Sequence, residues 1–434
     1  MKNNRIAVLI GLLGAISLLG AAEAAPRKNA APASCGGGTG CAGSTCPASI
    51  TAAQATLPTD ACPRFGEFQS GVDVFSWNEF IALNWPATSA CGADSTKTIL
   101  DIKGNNQGPV VWQTLMTSDN VFVAPGQTPA AWCTGDALAA LFEKKPRPMG
   151  TTSKSVPVHN LQSLAQAISQ PTGVQAVGGV VTDQNQRWLR YEKLMNQIEY
   201  QAIVNNNWYQ ASVLNGLASI TLPTGSLELK SSWKILSPQE IAGGRYYTTT
   251  ATVFNTPGPN PAPSPGANPV TLGLVGLHII QKTPSQQGFF WSTFEQVDND
   301  KVFFNPASNA PLNTQTATQP YTELMQNGTP VNAAVQIKRL NKIPADPLLN
   351  AYYQKLLAGS VFANYRLVST QWQTGGAKQG TPAYVANIVI ETYVQQVANK
   401  TKPPSTGCLA CHIDATAKNN KTTTDHSFLF LEAQ

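Results

Sequence analysis

The stretch LELKSSWKI, Leu227–Ile235, decides the fold class, because here the chain changes its period. Leu227, Leu229, Trp233 and Ile235 fall on one side of an extended backbone, while Glu228, Lys230 and Lys234 fall on the other. Only the two-residue repeat of a half-buried strand separates them this way. The neighbouring segments extend the signal. Arg245 to Phe254 is rich in Tyr, Thr and Val, VTLGLVGLHII (Val270–Ile280) is apolar on both faces as a fully buried strand would be, and FFWSTFEQV (Phe289–Val297) carries aromatic residues. Between them, TPGPNPAPSPGANP (Thr256–Pro269) excludes a helix or a central strand, because proline has no amide proton to donate, and reads as an exposed loop.

Working outward, helical periodicity flanks these strands. A helix is expected from about Gln186 to Trp208, where Trp188, Tyr191, Met195, Ile198 and Ala202 recur at three- and four-residue steps. Ser76-Trp77-Asn78-Glu79 reads as a capping box opening a short helix through Leu83, with Pro86 limiting its length. Downstream, Asp346 caps a helix with Pro347 in its first position that runs to about Ala358, and NYRLVSTQW (Asn364–Trp372) reads as a strand. Thr381 and Pro382 repeat the helix-start signal ahead of an apolar stripe of Val385, Ile388, Val389 and Tyr393, which ends before Pro403-Pro404. No internal repeat is visible. Helices mixed with a largely antiparallel sheet give α+β as the fold class.

The first residues read as an export signal. Lys2 and Arg5 precede the uncharged run IAVLIGLLGAISLL (Ile6–Leu19), and Ala22-Glu23-Ala24 supplies a small-x-small exit. That layout is a cleaved secretory signal peptide over residues 1–24, too short in its apolar core to span a bilayer comfortably. No later segment has the apolar length of a membrane span, so the mature chain is expected to be periplasmic or secreted, with no transmembrane segment after signal cleavage. Residues 25–60 form a Gly/Ala/Cys-rich arm expected to be flexible, 61–340 an α+β body, and 341–434 a C-terminal region packed on it.

Charged residues are only 12% of the chain, whereas hydrophobic ones are 42%, enough for a substantial core. The net charge of +5 falls to +4 once Lys2, Arg5 and Glu23 are removed. No dense Lys/Arg run exists, so nucleic acid is not an expected partner. Of eight cysteines, Cys35, Cys41, Cys46, Cys62, Cys91 and Cys133 lie in the first third of the chain. In an exported protein an even number of thiols favours disulfides, though sequence does not choose their connectivity. The tract CGGGTGCAGSTCP holding Cys35, Cys41 and Cys46 also admits a metal, but no His accompanies it.

The remaining two cysteines carry the chemistry. Cys408-Leu409-Ala410-Cys411-His412 is a C-x-x-C-H motif, in which two thiols form thioethers to the vinyl carbons of one haem and the following imidazole binds its iron. Residues three apart on a helical turn share a face, so both thiols meet the same macrocycle and His412 is carried beneath it. A thioredoxin-like redox pair would need a βαβ setting, and a zinc site a second ligand pair; neither is seen. One haem c, covalently bound, is the expected cofactor, with Cys408, Cys411 and His412 as its holders and His412 as proximal iron ligand.

The distal side is left open by the sequence. Met325 is the last methionine and precedes the motif, so no downstream Met can serve. Met116, Met149 and Met195 suit core or surface. Of the four histidines, His278 lies in the apolar strand on the expected side of Leu274, Gly276 and Ile280, where an imidazole suits a haem pocket as a distal iron ligand. His426 follows the motif by fourteen residues, a span that reaches up to ~45 Å when extended. His159 lies in an unpatterned stretch, and an unoccupied sixth position is the remaining option.

These residues resemble a family of exported, single-haem cytochrome c proteins of Gram-negative bacteria. The segments that carry the likeness are FSWNEFIALNWPA (Phe75–Ala87), GSLELKSSWKIL (Gly225–Leu236), GLVGLHIIQKT (Gly273–Thr283), FFWSTFEQVDN (Phe289–Asn299), RLVSTQW (Arg366–Trp372), and CLACH with SFLFL (Ser427–Leu431). The Cys-rich arm from Cys35 to Cys46 departs from it. The resemblance implies the haem and the compartment and supplies no substrate. The expected function is electron transfer in the periplasm with a redox partner protein; the alternative is a haem enzyme or sensor with an open distal site, acting on peroxide, a diatomic gas or an organic substrate. A blander alternative is a scaffold docked through its haem region.

Overall fold

The structure is a computed structural model that describes residues 53–61, 69–104, 107–143, 147–148, 189–252, 269–299, 321–326, 329–331, 339, 342–373, 380–391 and 407–434. Its strands are β1 (Met116–Thr117), β2 (Arg147–Pro148), β3 (Arg190–Met195), β4 (Leu227–Ile235), β5 (Thr248–Thr252), β6 (Val270–Gln281), β7 (Phe290–Gln296), β8 (Tyr321–Gln326), β9 (Thr329–Val331), β10 (Tyr365–Gln373) and β11 (Gly380–Thr381). Nine of them form one sheet in the order β1-β3-β4-β6-β7-β10-β11, with β5 also on β6 and β2 on β5; β8 and β9 pair separately. All ladders are antiparallel except β2 with β5. The α+β expectation holds at this level.

β6 is the axis of the sheet. β4 pairs along one edge, and the other edge is shared end to end by β5 (Thr248↔Gly273) and β7 (Gly276↔Glu295). The β4 register steps over Val275, from Ser232↔Gly276 to Trp233↔Leu274, so one extra residue sits in β6 as a bulge. Asn299 Nδ2 donates to the carbonyl of Val275 at 2.9 Å. Past the bulge the alternation inverts: Leu272 and Leu274 share one core with Leu277 and Ile279, whereas Ile280 belongs to the other. This corrects the expectation that His278 shares a side with Leu274. Strict two-residue counting cannot see an inserted residue.

The larger core lies on the first face, against the helices Gln69–Leu83 and Pro347–Leu356. Trp77 is its centre, stacked on Tyr353 at 4.9 Å and edge-on to Phe294 at 5.1 Å. Asp346 caps the second helix as expected, its Oδ1 accepting from Leu348 N at 2.8 Å. The first helix begins earlier than its sequence signal suggests. Ser76 and Glu79 are therefore mid-helix, not a capping box, and they meet the sheet: Ser76 Oγ lies 2.6 Å from Ser292 Oγ and from Thr370 Oγ1, and Glu79 accepts from Ser292 Oγ at 2.7 Å. One turn before, Asp73 Oδ1 accepts from Thr370 Oγ1 at 2.7 Å.

Glu79 is fully buried, and desolvation pushes its carboxyl well above the ordinary value despite the Ser292 hydrogen bond. A raised folded value means that the native state holds a proton the unfolded chain releases. Stability contributed here is full below the unfolded value and is lost as pH rises towards the folded one. Glu79→Gln is expected to flatten the fall of unfolding free energy above about pH 5 by up to ~1.4 kcal/mol per pH unit, checked by urea titrations across pH.

Three further expectations change. The helix expected from about Gln186 is β3 followed by the helix Gln197–Asn205, which Asn196 caps by accepting from Glu199 N at 3.1 Å. Pairing with β4 captures residues 190–195 despite their helical spacing, since ladder and burial override local propensity. Among the described residues 382–391 no helix follows Thr381; residues 384–391 run as bridge and turns, because Asn387 and Ile388 bond the sheet, and Tyr393 of the expected stripe lies outside the described residues. The end of the arm is ordered: Ala53, Ala55 and Leu57 pack on the larger core, and Asp60 accepts from Ser285 N at 3.1 Å.

Cys91 and Cys133 form a disulfide, while Cys408 and Cys411 are free thiols. Cys35, Cys41, Cys46 and Cys62, the signal stretch 1–24, His159, Met149 and the loop residues 256–268 lie outside the described residues. No helix among the described residues is long and apolar enough to cross a membrane.

Candidate functional site

The second face of the sheet positions the site. Because β3, β4, β6, β7 and β10 pair in register, their side chains on this face form rows. One row runs Met195, Glu228, Ile280, Trp291 and Gln371; the next runs Lys193, Lys230, His278, Thr293 and Ser369. The charged side of Leu227–Ile235, which by alternation alone reads as the solvent side, is thus covered: Glu228 and Lys234 are buried and Lys230 half-buried.

The five-residue helix Cys408–His412 lies over the β7–β10 end of the first row. Gln371 on β10 holds it there, accepting from Leu409 N at 2.8 Å while donating to Pro382 O at 2.6 Å. Gly407 admits this close approach, since a Cβ there would stand 2.1 Å from Gln371 Nε2. Leu409 then joins the second core with Ile280, Trp291, Leu429 and Phe430.

His412 is held on three sides. Its ring sits 4.4 Å from that of Trp291 and 4.7 Å from that of Phe428. Its Nδ1 lies 2.8 Å from the carbonyl oxygen of His426. A carbonyl only accepts, so the proton is on Nδ1 and Nε2 carries the free lone pair. Burial, opposed by the His426 hydrogen bond, lowers the imidazole to about 3, leaving it neutral at physiological pH. Desolvation pushes the thiols of Cys408 and Cys411 up, with the Glu391 charge adding to it.

His278 faces the same side. Its Nε2 is paired with Glu391 Oε1, and Glu391 Oε2 accepts from Asn387 N at 2.9 Å. Burial drives the Glu391 carboxyl up, but the charge and hydrogen bond of His278, with Lys230, outweigh it and hold the group below its ordinary value. The segment bearing Glu391 is pinned to the sheet: Ile388 N donates to Glu295 at 2.8 Å, Asn387 Nδ2 to Phe294 O at 2.9 Å, and Tyr191 Oη to Val389 O at 2.9 Å. Gly276 leaves room for it, since a Cβ there would lie 2.6 Å from Val389 Cγ2.

The structure therefore brings Cys408, Cys411, His412 and His278 to one face, within electrostatic reach of Glu391 and Lys230. His426 contributes its backbone oxygen. Met116 and Met195 are core residues of the second cluster. Trp291, Phe428, Glu391 and Gln371 escape a reading by motif, because each is defined by a partner distant in the chain; only the aromatic richness of Phe289–Val297 and Ser427–Leu431 signals two of them. Among the described residues no group of three or more His, Cys, Asp and Glu side chains is arranged to hold a metal ion by itself. Comparison with models of known families, with curated proteins and with solved structures finds no match for this chain.

Proposed function

We propose that this chain is an exported c-type cytochrome of the kind its motifs resemble, holding one covalent haem c through Cys408 and Cys411 with His412 Nε2 as proximal ligand, and that it transfers electrons to a periplasmic redox partner. The observation that carries this reading is the Nδ1–H of His412 donated to the His426 carbonyl. Iron-ligating histidines characteristically commit their second nitrogen to an outer acceptor, which fixes tautomer and ring orientation. The donor set fits: two unpaired thiols one helical turn apart and a neutral imidazole with a free Nε2. When bound, the haem supplies one-electron chemistry, retained in both oxidation states by its covalent attachment. The chain's own part is to hold His412 between Trp291 and Phe428 and to set the polarity around it through His278, Glu391 and Lys230.

One observation favours the second reading, a haem enzyme or sensor with an open distal site. The Nε2 of His278 is paired with the Glu391 carboxylate, an arrangement suited to a hydrogen-bonding or acid–base group. Absorption spectra of the protein made with the haem-attachment machinery separate the two. A low-spin spectrum indifferent to carbon monoxide is expected for electron transfer; a high-spin form that binds the gas selects the second reading, and absence of covalent haem rejects both.

A further inference from the structure

We infer that the ion pair between buried Lys282 and half-buried Asp425 is a positioning device for His412, acting through the backbone carbonyl of His426; the inference rests on the reading of His412 as the iron ligand. The carbonyl that receives the Nδ1 proton belongs to a turn that L residues do not adopt readily. Asp425 and His426 both have left-handed backbone, with φ of 52° and 71°. Something must hold two consecutive residues there.

Asp425 supplies the hold. Its Oδ2 accepts from Lys282 Nζ at 2.5 Å and from Leu222 N at 2.7 Å. Lys282 is only 2% exposed and directly follows β6, where its own N–H donates to Ser226 O at 2.9 Å and its carbonyl accepts from Gly225 N at 2.8 Å. The anchor is thus the framework of the sheet itself. The aromatic face of Phe289 lies 5.7 Å from the Lys282 ammonium and 6.2 Å from the His426 ring, closing the side of the turn. On the far side the turn closes on itself, with Ser427 N donating to Thr424 O at 2.9 Å and Thr424 Oγ1 to Ser427 O at 2.5 Å. These local bonds shape the turn, and its flanks are tied elsewhere, Thr424 N donating to Ala415 O at 3.0 Å, Thr423 pairing with Ala218 and Ile220, and Ser427 bonding Glu228. The Asp425 carboxylate ties the two left-handed residues themselves to Lys282 at the end of β6 and to the Leu222 backbone, so it sets where the His426 oxygen stands relative to Trp291 and the motif helix.

A well-placed acceptor on Nδ1 makes the imidazole a stronger donor and favours ferric over ferrous iron. Losing it is expected to weaken that preference about tenfold, a rise in potential of about 59 mV for one electron. The experiment compares the full chain with Asp425→Ala, Lys282→Met and Lys282→Arg, and with the paired neutral variant Asp425→Asn/Lys282→Met, which keeps an acceptor for Leu222 N and removes both charges together if a single variant does not fold. Two quantities are read: the His412 tautomer by nitrogen-15 NMR of the full chain without haem, and the potential of the haem-loaded protein. The expected result is at least a tenfold fall in the ratio of Nδ1–H to Nε2–H tautomer and a raised potential in the folded Asp425 and Lys282→Met variants, with Lys282→Arg near the parent. An unchanged tautomer and potential in a folded variant lacking the pair overturns the inference. If the parent chain takes up no haem yet its tautomer responds to Asp425→Ala, the cytochrome reading fails and the positioning stands.

Discussion

Replacing Cys408 and Cys411 together by Ser is expected to abolish covalent haem, leaving no haem-stained band after denaturing electrophoresis and a chain mass lacking the cofactor. Attachment at each vinyl carbon needs a sulfur nucleophile, and serine's hydroxyl does not substitute for it. Each single variant retains one thiol and is expected to keep a weaker, singly attached cofactor. The fold should scarcely notice. Both thiols are half-buried, and the motif helix is held by Gln371 on Leu409 N and by Leu409 within the second core. Relative to the unloaded parent, the unfolding free energy of the double variant is expected to move by less than about 0.5 kcal/mol, the range of substitutions that leave packing intact. Full haem incorporation in the double variant would remove the basis of the proposed function.

Trp77→Ala should produce the largest loss of stability on the other face of the sheet. The indole is fully buried, stacked at 9° on Tyr353, edge-on to Phe294 and to Phe80 at 5.5 Å. It therefore joins the first helix, the Pro347–Leu356 helix and β7 in one contact. Truncation loses the transfer energy of the ring and leaves a cavity that three elements would have to move to fill, about 3–5 kcal/mol. Against a total of about 5–15 kcal/mol for a globular domain, that puts the variant near the unfolding threshold. Urea denaturation followed by circular dichroism measures it. Leu348→Ser, at a position 78% exposed on the neighbouring helix, is the control and should change stability by no more than about 0.5 kcal/mol. Comparable losses at both positions would show that the core does not centre on Trp77.

Where polarity alternated cleanly, the chain was legible. Leu227–Ile235 has the strand bounds that alternation draws, and Val270–Ile280 extends by one residue to Gln281. The illegible parts are those where partners outrank local pattern. Tyr191 and Met195 are spaced for a helix, yet β4 offers residues 190–195 a full ladder, and Ile198, another residue of that apolar spacing, is 43% exposed. Ser76 and Glu79 have capping spacing, yet Ser292 and Thr370 give their side chains partners in the sheet. In the site, spacing reveals the motif itself, because one turn of helix suffices to define it. The groups around it come from β4, β6, β7, β10 and two loops, and only tertiary structure unites them.

The bulge at Val275 has a consequence for how the sheet assembles. On either side of it, β6 carries apolar residues with opposite parity, Leu272 and Leu274 before and Leu277 and Ile279 after, all destined for one core. No uninterrupted pairing with β4 satisfies both halves: either the first half or the second would turn its leucines to the face where His278 and the motif helix belong. Sliding the strand by one residue does not repair the error; it transfers it to the other half. The extra residue thus acts as a key cut for a single lock position, and the alignment of the row beneath His412 is inherited from it.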